Sequence, residues 1–306
     1  MSTVRDLQTE HAPDEQLTGF HLPEYGVRGA ILRAGEGVPA MVARDGHPPD
    51  VQRLLGELLA AGPLMAANLK FRGRMGLQIQ NSAELALLLV QTEDDLRTRG
   101  MARVRSDTGG AGDFAQLTRD GVFGVTLEPK SGQSYQAMVP LGSASCEQAL
   151  EAYFAQSEQL PTRFVLATDG ERVAGLMLQR LPGVGAEADA GWAHVEALVD
   201  TLGGEELIAQ SPAVILKRLF HAEDLQLHAP RQVAIACSCS HAKVSRVLLS
   251  LGEDEVRDIL AEQGSVTVHC DFCGQGYHYD PAQIQTLFAA VNASATDPVP
   301  PSGGLH

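Results

Sequence analysis

The sequence lacks an excess of positive charge: 23 Lys and Arg stand against 38 Asp and Glu in 306 residues, a formal net charge of −15. Binding to nucleic acid rests on neutralising phosphates with Lys and Arg, so no nucleic-acid partner is expected. Long hydrophobic runs are missing as well. The longest strictly apolar stretch, Leu85 to Val90, is far too short to span a bilayer, and no membrane partner is expected. Residues Met1 to Gln16 are polar and acidic, without the apolar core of a secretion signal. Gly109-Gly110-Ala111-Gly112 has neither the G-x-G-x-x-G spacing nor a P-loop lysine, and it reads as a turn. No nucleophile stands beside a base, and the chain is not expected to be an enzyme. Tryptophan occurs once, at Trp192, and cysteine five times.

Four of those cysteines are concentrated near the C-terminus. Cys237-Ser238-Cys239 is followed, after thirty intervening residues, by Cys270-Asp271-Phe272-Cys273. Zinc takes four soft ligands in a tetrahedron, and two such pairs supply a closed site with no position left open for catalysis. Cys237, Cys239, Cys270 and Cys273 are therefore the candidate ligands of one Zn2+ per chain in the reduced state. Val233 and Ile235 belong to an alternating stretch, so an extended backbone would turn both sulfurs of the first pair to one face. Gly274 and Gly276 are free to take the positive φ of a knuckle. His241, His269 and His278 lie close by, but four sulfurs already fill the site and the histidines read as neighbours. Cys146 opens a helix, where the dipole would lower its pKa, yet a lone cysteine reads as inert. Clustered thiols without a secretion signal imply a reducing compartment, and the expected location is cytoplasmic.

The expected fold class is α+β: a mixed N-terminal domain, a helical linker and a small C-terminal zinc-binding domain. Residues 1–24 are expected to be a disordered N-terminal segment, 25–183 the α+β core, 184–231 an amphipathic helical linker, 232–292 the zinc-binding module and 293–306 a disordered tail. In the core, Val27 to Leu32 and Gly76 to Gln80 read as strands. Gly121 to Leu127 with Ser134 to Leu141, and Arg163 to Ala167 with Val173 to Gln179, read as two hairpins. Val51 to Ala61 reads as an amphipathic helix that Gly62-Pro63 should break or kink. Ser145 with Gln148 is a capping-box signal for a helix through Leu150. In the linker, Trp192, Val195, Val199 and Leu202 form one helical stripe, and Ser211-Pro212 opens a second helix. Short isolated helices are marginal in water, so both need a partner surface. In the module, helices stop at Gly252 and Gly264, and Asp280-Pro281 caps a last one.

A module with so few large apolar side chains depends on its metal, which contributes on the order of 10–16 kcal/mol in units of this kind. Two readings stay open on the residues alone. One is a structural ribbon, whose nucleic-acid version is disfavoured by four basic against seven acidic residues over 231–292. The other is a switch whose fold requires the thiolates to remain reduced.

Several strings bear on the choice: Val233-Ala-Ile-Ala-Cys-Ser-Cys-Ser240, Leu248-Leu-Ser-Leu-Gly252 and His269-Cys-Asp-Phe-Cys-Gly274 near the C-terminus. Tyr153-Phe-Ala-Gln-Ser-Glu-Gln-Leu-Pro-Thr162, Leu54-Leu-Gly-Glu-Leu-Leu59 and Tyr135-Gln136 join them from the large domain. Together they make the chain resemble, over nearly its whole length, the family of redox-regulated heat-shock chaperones of thirty-three kilodaltons. The resemblance implies an ATP-independent holdase that is off when reduced and zinc-bound. Oxidation would release zinc and form redox-active disulfides, Cys237 with Cys239 and Cys270 with Cys273. The activated protein, commonly a homodimer, would bind unfolding client proteins and pass them to ATP-dependent foldase chaperones. Two alternatives remain: a thiol-disulfide oxidoreductase, which would turn over dithiol substrates, or a plain zinc-stabilised interaction module, indifferent to oxidation.

Overall fold

The computed structural model describes residues 2–3, 14–69, 72–105, 112–182 and 187–295. It divides into two units, Met1–Cys237 and Ser238–His306. The disorder expected for residues 4–13 and beyond 295, and most of the Gly109 to Gly112 turn, lie outside the described residues, whereas Ser2–Thr3, also expected to be disordered, pair as a short strand.

The first unit begins with β1 (Ser2–Thr3), β2 (Gln16–Leu22), β3 (Val27–Ala34), α1 (Val38–Val42) and α2 (Pro49–Asn68). A meander follows: β4 (Gly73–Gln80), β5 (Leu85–Glu93), β6 (Arg97–Val104), α3 (Phe114–Leu117), β7 (Val122–Pro129) and β8 (Tyr135–Pro140). After α4 (Cys146–Tyr153) come the hairpin strands β9 (Thr162–Thr168) and β10 (Val173–Arg180). The unit then continues through α5 (Glu187–Val199), α6 (Gly204–Ala209) and α7 (Pro212–Phe220). It closes with three short strands, β11 (Gln226–Leu227), β12 (Arg231–Gln232) and β13 (Ala234–Ile235). One sheet has the order β1-β11-β2-β3-β10-β9, with β12 also on β2, and the other the order β13-β6-β5-β4-β7-β8. The strands and both hairpins expected from alternation are present.

Two expectations are corrected here. Residues 16–22, assigned to a disordered segment by composition, form a strand between β3 and β11 that buries Leu17, Phe20 and Leu22. Helix α2 runs unbroken through Gly62-Pro63. A proline inside a helix costs about 3 kcal/mol, but this helix is buried throughout Leu58 to Ala66. Burying Leu58, Leu59, Leu64 and Met65 offsets that cost at about 1.5–3 kcal/mol each. Gly62 serves the packing: a Cβ there would lie 2.5 Å from Thr92 Oγ1 on β5.

The seven-stranded sheet has a core on each face, as period-two alternation requires. On one face Ala30, Leu32 and Met177 join α2 and the six-stranded sheet. On the other, Phe20, Val27, Ile31, Leu176 and Leu178 join Trp192, Val195, Ile215, Leu216 and Phe220 of the helical layer α5–α7. The partner surface these amphipathic helices require is therefore the sheet of their own unit. Ser211 caps α7 by accepting from the Val214 backbone N–H.

The second unit holds α8 (His241–Leu251), α9 (Glu253–Gln263), β14 (Val266–His269), β15 (Gly276–Tyr279) and α10 (Pro281–Ala295). Asp280 and Gln283 form a reciprocal box at the start of α10, each side chain accepting from the other's backbone N–H at 2.8 and 2.9 Å. The β14–β15 hairpin has no counterpart in the sequence reading. Its alternation buries Val266, Tyr277 and Tyr279 in a core to which the described residues contribute eight buried side chains.

Candidate metal centre

Cys237 is placed by the strap that precedes it. Residue 228 donates its backbone N–H to Gly19 O, β12 pairs with β2, and β13 pairs in parallel with β6. The Ala236 N–H donates to Thr98 O at 2.9 Å, one residue before the cysteine. Gly37, at φ 81°, backs the strap so closely that a Cβ would stand 1.9 Å from Ile235 O. The Arg99 Nη1 group reaches Cys237 Sγ at 4.0 Å.

Cys239 lies just before α8, whose N-cap Ser240 accepts from the Lys243 N–H, while Lys243 Nζ donates to Ser238 Oγ at 2.8 Å. Cys270 and Cys273 sit in the tight connection of the β14–β15 hairpin. The Gly274 N–H donates to Cys270 O at 2.8 Å and the Cys270 N–H to Gln275 O at 3.0 Å, with Gly274 at φ 71° as a knuckle demands. Gly276 is different: it is the first residue of β15, paired with His269, and takes no positive φ.

The four Sγ atoms lie within 4.8 Å of one another. Cys239 and Cys273 are 3.3 Å apart. Zinc–sulfur bonds of about 2.3 Å put the corners of a tetrahedron about 3.8 Å apart, so this donor set fits a tetrahedral thiophilic ion after sub-ångström adjustment. Four thiolates without a carboxylate or histidine select zinc or another soft metal over hard cations. Tyr277 donates its hydroxyl to Cys239 Sγ at 3.0 Å. That bond, before any other influence, raises the Tyr277 pKa above its ordinary value.

The three nearby histidines are not among the grouped ligand atoms. His241 packs edge-on against Tyr277, and His278 hydrogen-bonds Thr267 Oγ1 at 3.2 Å. Cys146 stands apart and buried in the first unit. Burial, with Glu57 and Glu147 nearby, pushes its thiol pKa up, so desolvation overrides the helix dipole there. Sequence reading did not single out Arg99, Lys243 or Tyr277. The Tyr277–Tyr279 alternation was a usable signal for the last; Arg99 had none.

The family profile described as Hsp33 protein matches residues 15–280. A "33 kDa chaperonin" of Pseudomonas paraeruginosa is 38% identical over 285 residues, 91% of this chain and 96% of its own length. Proteins of the same name from Chromobacterium violaceum and Vibrio cholerae are 42% identical over 276 residues and 35% over 288. They span 90% and 92% of this chain and 94% and 98% of their own lengths. Among solved structures, the 33 kDa chaperonin (heat shock protein 33 homolog) of Thermotoga maritima aligns with a TM-score of 0.76 at 21% identity. That alignment covers 91% of this chain and 99% of that one, a likeness of fold. With a profile match over residues 15–280 and relatives above 30% identity over 90–92% of its length, the chain belongs to the Hsp33 family.

Proposed function

We propose that the protein is an ATP-independent holding chaperone of the cytoplasm, silent while its four thiolates hold zinc and activated by oxidation. The observation that carries this reading is the four-sulfur cluster, three of whose cysteines belong to a unit in whose core the described residues bury eight side chains. A core of that size is marginal alone, and a structural metal supplying on the order of 10–16 kcal/mol decides whether it folds. When bound, the metal would contribute charge neutralisation and cross-linking and no chemistry of its own.

Activation is a redox step on Cys237, Cys239, Cys270 and Cys273. Four thiolates give four electrons to two equivalents of a two-electron oxidant: hypochlorous acid leaves as chloride and hydroxide, and peroxide takes two protons from solvent and leaves as two waters. Two S–S bonds form, Cys237 with Cys239 and Cys270 with Cys273, and the sulfurs can no longer hold a cation. Pairing within each motif follows from loop closure, which is far more probable over one or two residues than over thirty. Without the metal the module loses its main stabilising contribution, and the strap ending at Cys237 keeps only its short pairings to β2 and β6. The α5–α7 layer beyond the strap then undocks and uncovers Phe20, Ile31, Leu176 and Leu178, an apolar surface for unfolding clients. The active form is a homodimer that hands clients to ATP-dependent foldases.

The test compares reduced and oxidised protein for suppression of aggregation of a heat-unfolding client, with released zinc read by a metal-binding dye. Suppression should appear only after zinc release and disappear on reduction with zinc restored. Equal suppression by both forms would reduce the module to a structural ribbon. Catalytic turnover of a dithiol substrate would make the protein an oxidoreductase.

A further inference from the structure

In the first unit, away from the cysteines, a cavity of about 400 Å³ opens beside β2, β3 and the strap. Its polar lining is cationic or titratable: His21 from β2, Arg28 from β3, and His228 and Arg231 from the strap, with Asn68 at the end of α2. Among the described residues no carboxylate lines it, in a chain whose formal net charge is −15. The sheet register puts His21 directly opposite Arg28 and Gly19 opposite Ala30, so these residues share the face that α2 covers. Glycine at position 19 leaves the floor open, and the His228 ring sits over it.

The two guanidiniums are held by neutral oxygens. Arg28 Nε donates to Gln179 Oε1 at 3.0 Å, and Gln179 is itself fixed by donating to Thr162 Oγ1 at 3.1 Å. Arg231 Nη2 donates to the Asp94 carbonyl at 3.2 Å. Among the described residues neither pairs with a carboxylate. Like charges and burial ordinarily repel such groups, and here they cost stability: burial lowers the Arg28 pKa. His21 is lowered by burial first, then by His228 and Arg28. The two imidazoles share one hydrogen bond, Nδ1 to Nε2 at 2.7 Å, with ring centroids 4.6 Å apart. A preorganised cationic hollow with no internal counter-charge is suited to an external anion.

We propose that this cavity binds the phosphate group of a small phosphomonoester, with the phosphate between Arg28 and Arg231 and within reach of the two imidazoles. Two guanidiniums match a dianion, and planar N–H forks fit phosphate oxygens bidentately. The remaining walls, Leu17, Ala30, Ala67 and Leu181, are apolar, and the volume leaves room for an organic group beyond the phosphate. An occupant would join the core sheet, through Arg28, to the strap, through His228 and Arg231. This site is independent of the redox reading.

The experiment is calorimetric titration of the full-length reduced protein with phenyl phosphate, inorganic phosphate and benzoate. It is paired with NMR of the histidine rings on the unsubstituted protein. Phenyl phosphate should bind saturably at one site, more tightly than inorganic phosphate, which lacks the apolar part, and than benzoate, which lacks the dianion. The His21 and His228 ring signals should move in parallel with binding. Arg28→Gln and Arg231→Gln should each weaken phenyl phosphate by about tenfold or more, while Lys217→Gln on the helical layer leaves it unchanged. Absence of saturable binding at millimolar concentration, or benzoate binding as tightly as phenyl phosphate, would overturn the assignment. So would unmoved His21 and His228 signals on saturation, which needs no variant to fold.

Discussion

Leu216→Ala isolates what holds the helical layer on the sheet. Leu216 has no solvent exposure and belongs, with Ile215, Phe220 and Trp192, to the core shared with Ile31 and Leu176. Truncating a buried leucine costs about 3–5 kcal/mol through lost transfer energy and a residual cavity. A loss of about 3 kcal/mol raises the population of the undocked layer by roughly a hundredfold. The other face of the sheet keeps its own core with α2, so the effect should stay within the layer. Trp192, only 8% exposed, supplies the optical signal: its emission should shift to the red on mild warming of the reduced protein. Hydrogen exchange should quicken over α5–α7 and not over β4–β7. If undocking uncovers the client surface, reduced, zinc-loaded Leu216→Ala should suppress client aggregation. Two outcomes would refute the reasoning: equal loss of protection in the layer and the six-stranded sheet, or a red-shifted Trp192 with no suppression. Val247→Ala, at a side chain 60% exposed in the second unit, should leave all three readouts unchanged.

Cys237→Ser or Cys273→Ser should sharply lower zinc content measured by mass spectrometry, whereas Cys146→Ser should leave it at one per chain; full occupancy in Cys237→Ser/Cys239→Ser would dismiss the four-sulfur assignment. Peptide mapping after oxidation should find Cys237–Cys239 and Cys270–Cys273, and dominant Cys239–Cys270 links would contradict the proposed pairing. Glu57 gives a pH test, because burial first and Glu147 second raise its pKa from 4.5 to about 7. With the folded pKa above the unfolded one, its contribution is fully present below about pH 4.5 and is lost as pH rises through about 7. Glu57→Gln should therefore gain up to about 3 kcal/mol over the unsubstituted protein at pH 8 and little at pH 4.5; parallel thermal-stability curves across that range would show that Glu57 is not desolvated. Gly37→Ala should loosen the strap, since its Cβ would meet the Ile235 carbonyl, and faster exchange of the Ala236 amide is the check.

What was legible in the sequence was local. Two cysteine pairs specify a four-sulfur site because the ligands of each pair are one turn of chain apart, and turn geometry needs no distant partner. The caps at Ser145, Ser211 and Asp280 and the stops at Gly252 and Gly264 are equally local, each satisfying backbone groups within four residues. Hairpins were readable where alternation flanked a turn, as at Asp169-Gly170. Tertiary structure decided the rest, through contacts between residues far apart in the chain. Gln16–Leu22 is polar enough to read as disordered and becomes a strand only because β3 and β11 offer their edges. Pro63 stays helical only because two sheets bury the helix around it. The stripe on α5 and α7 announced that the helices needed a surface but could not say which, since any apolar face of matching width can cover such a stripe. Likewise His21 and His228, 207 positions apart, have no mutual signal in the sequence. Periodicity reports which side of an element is buried; only the packed chain determines what is buried against it.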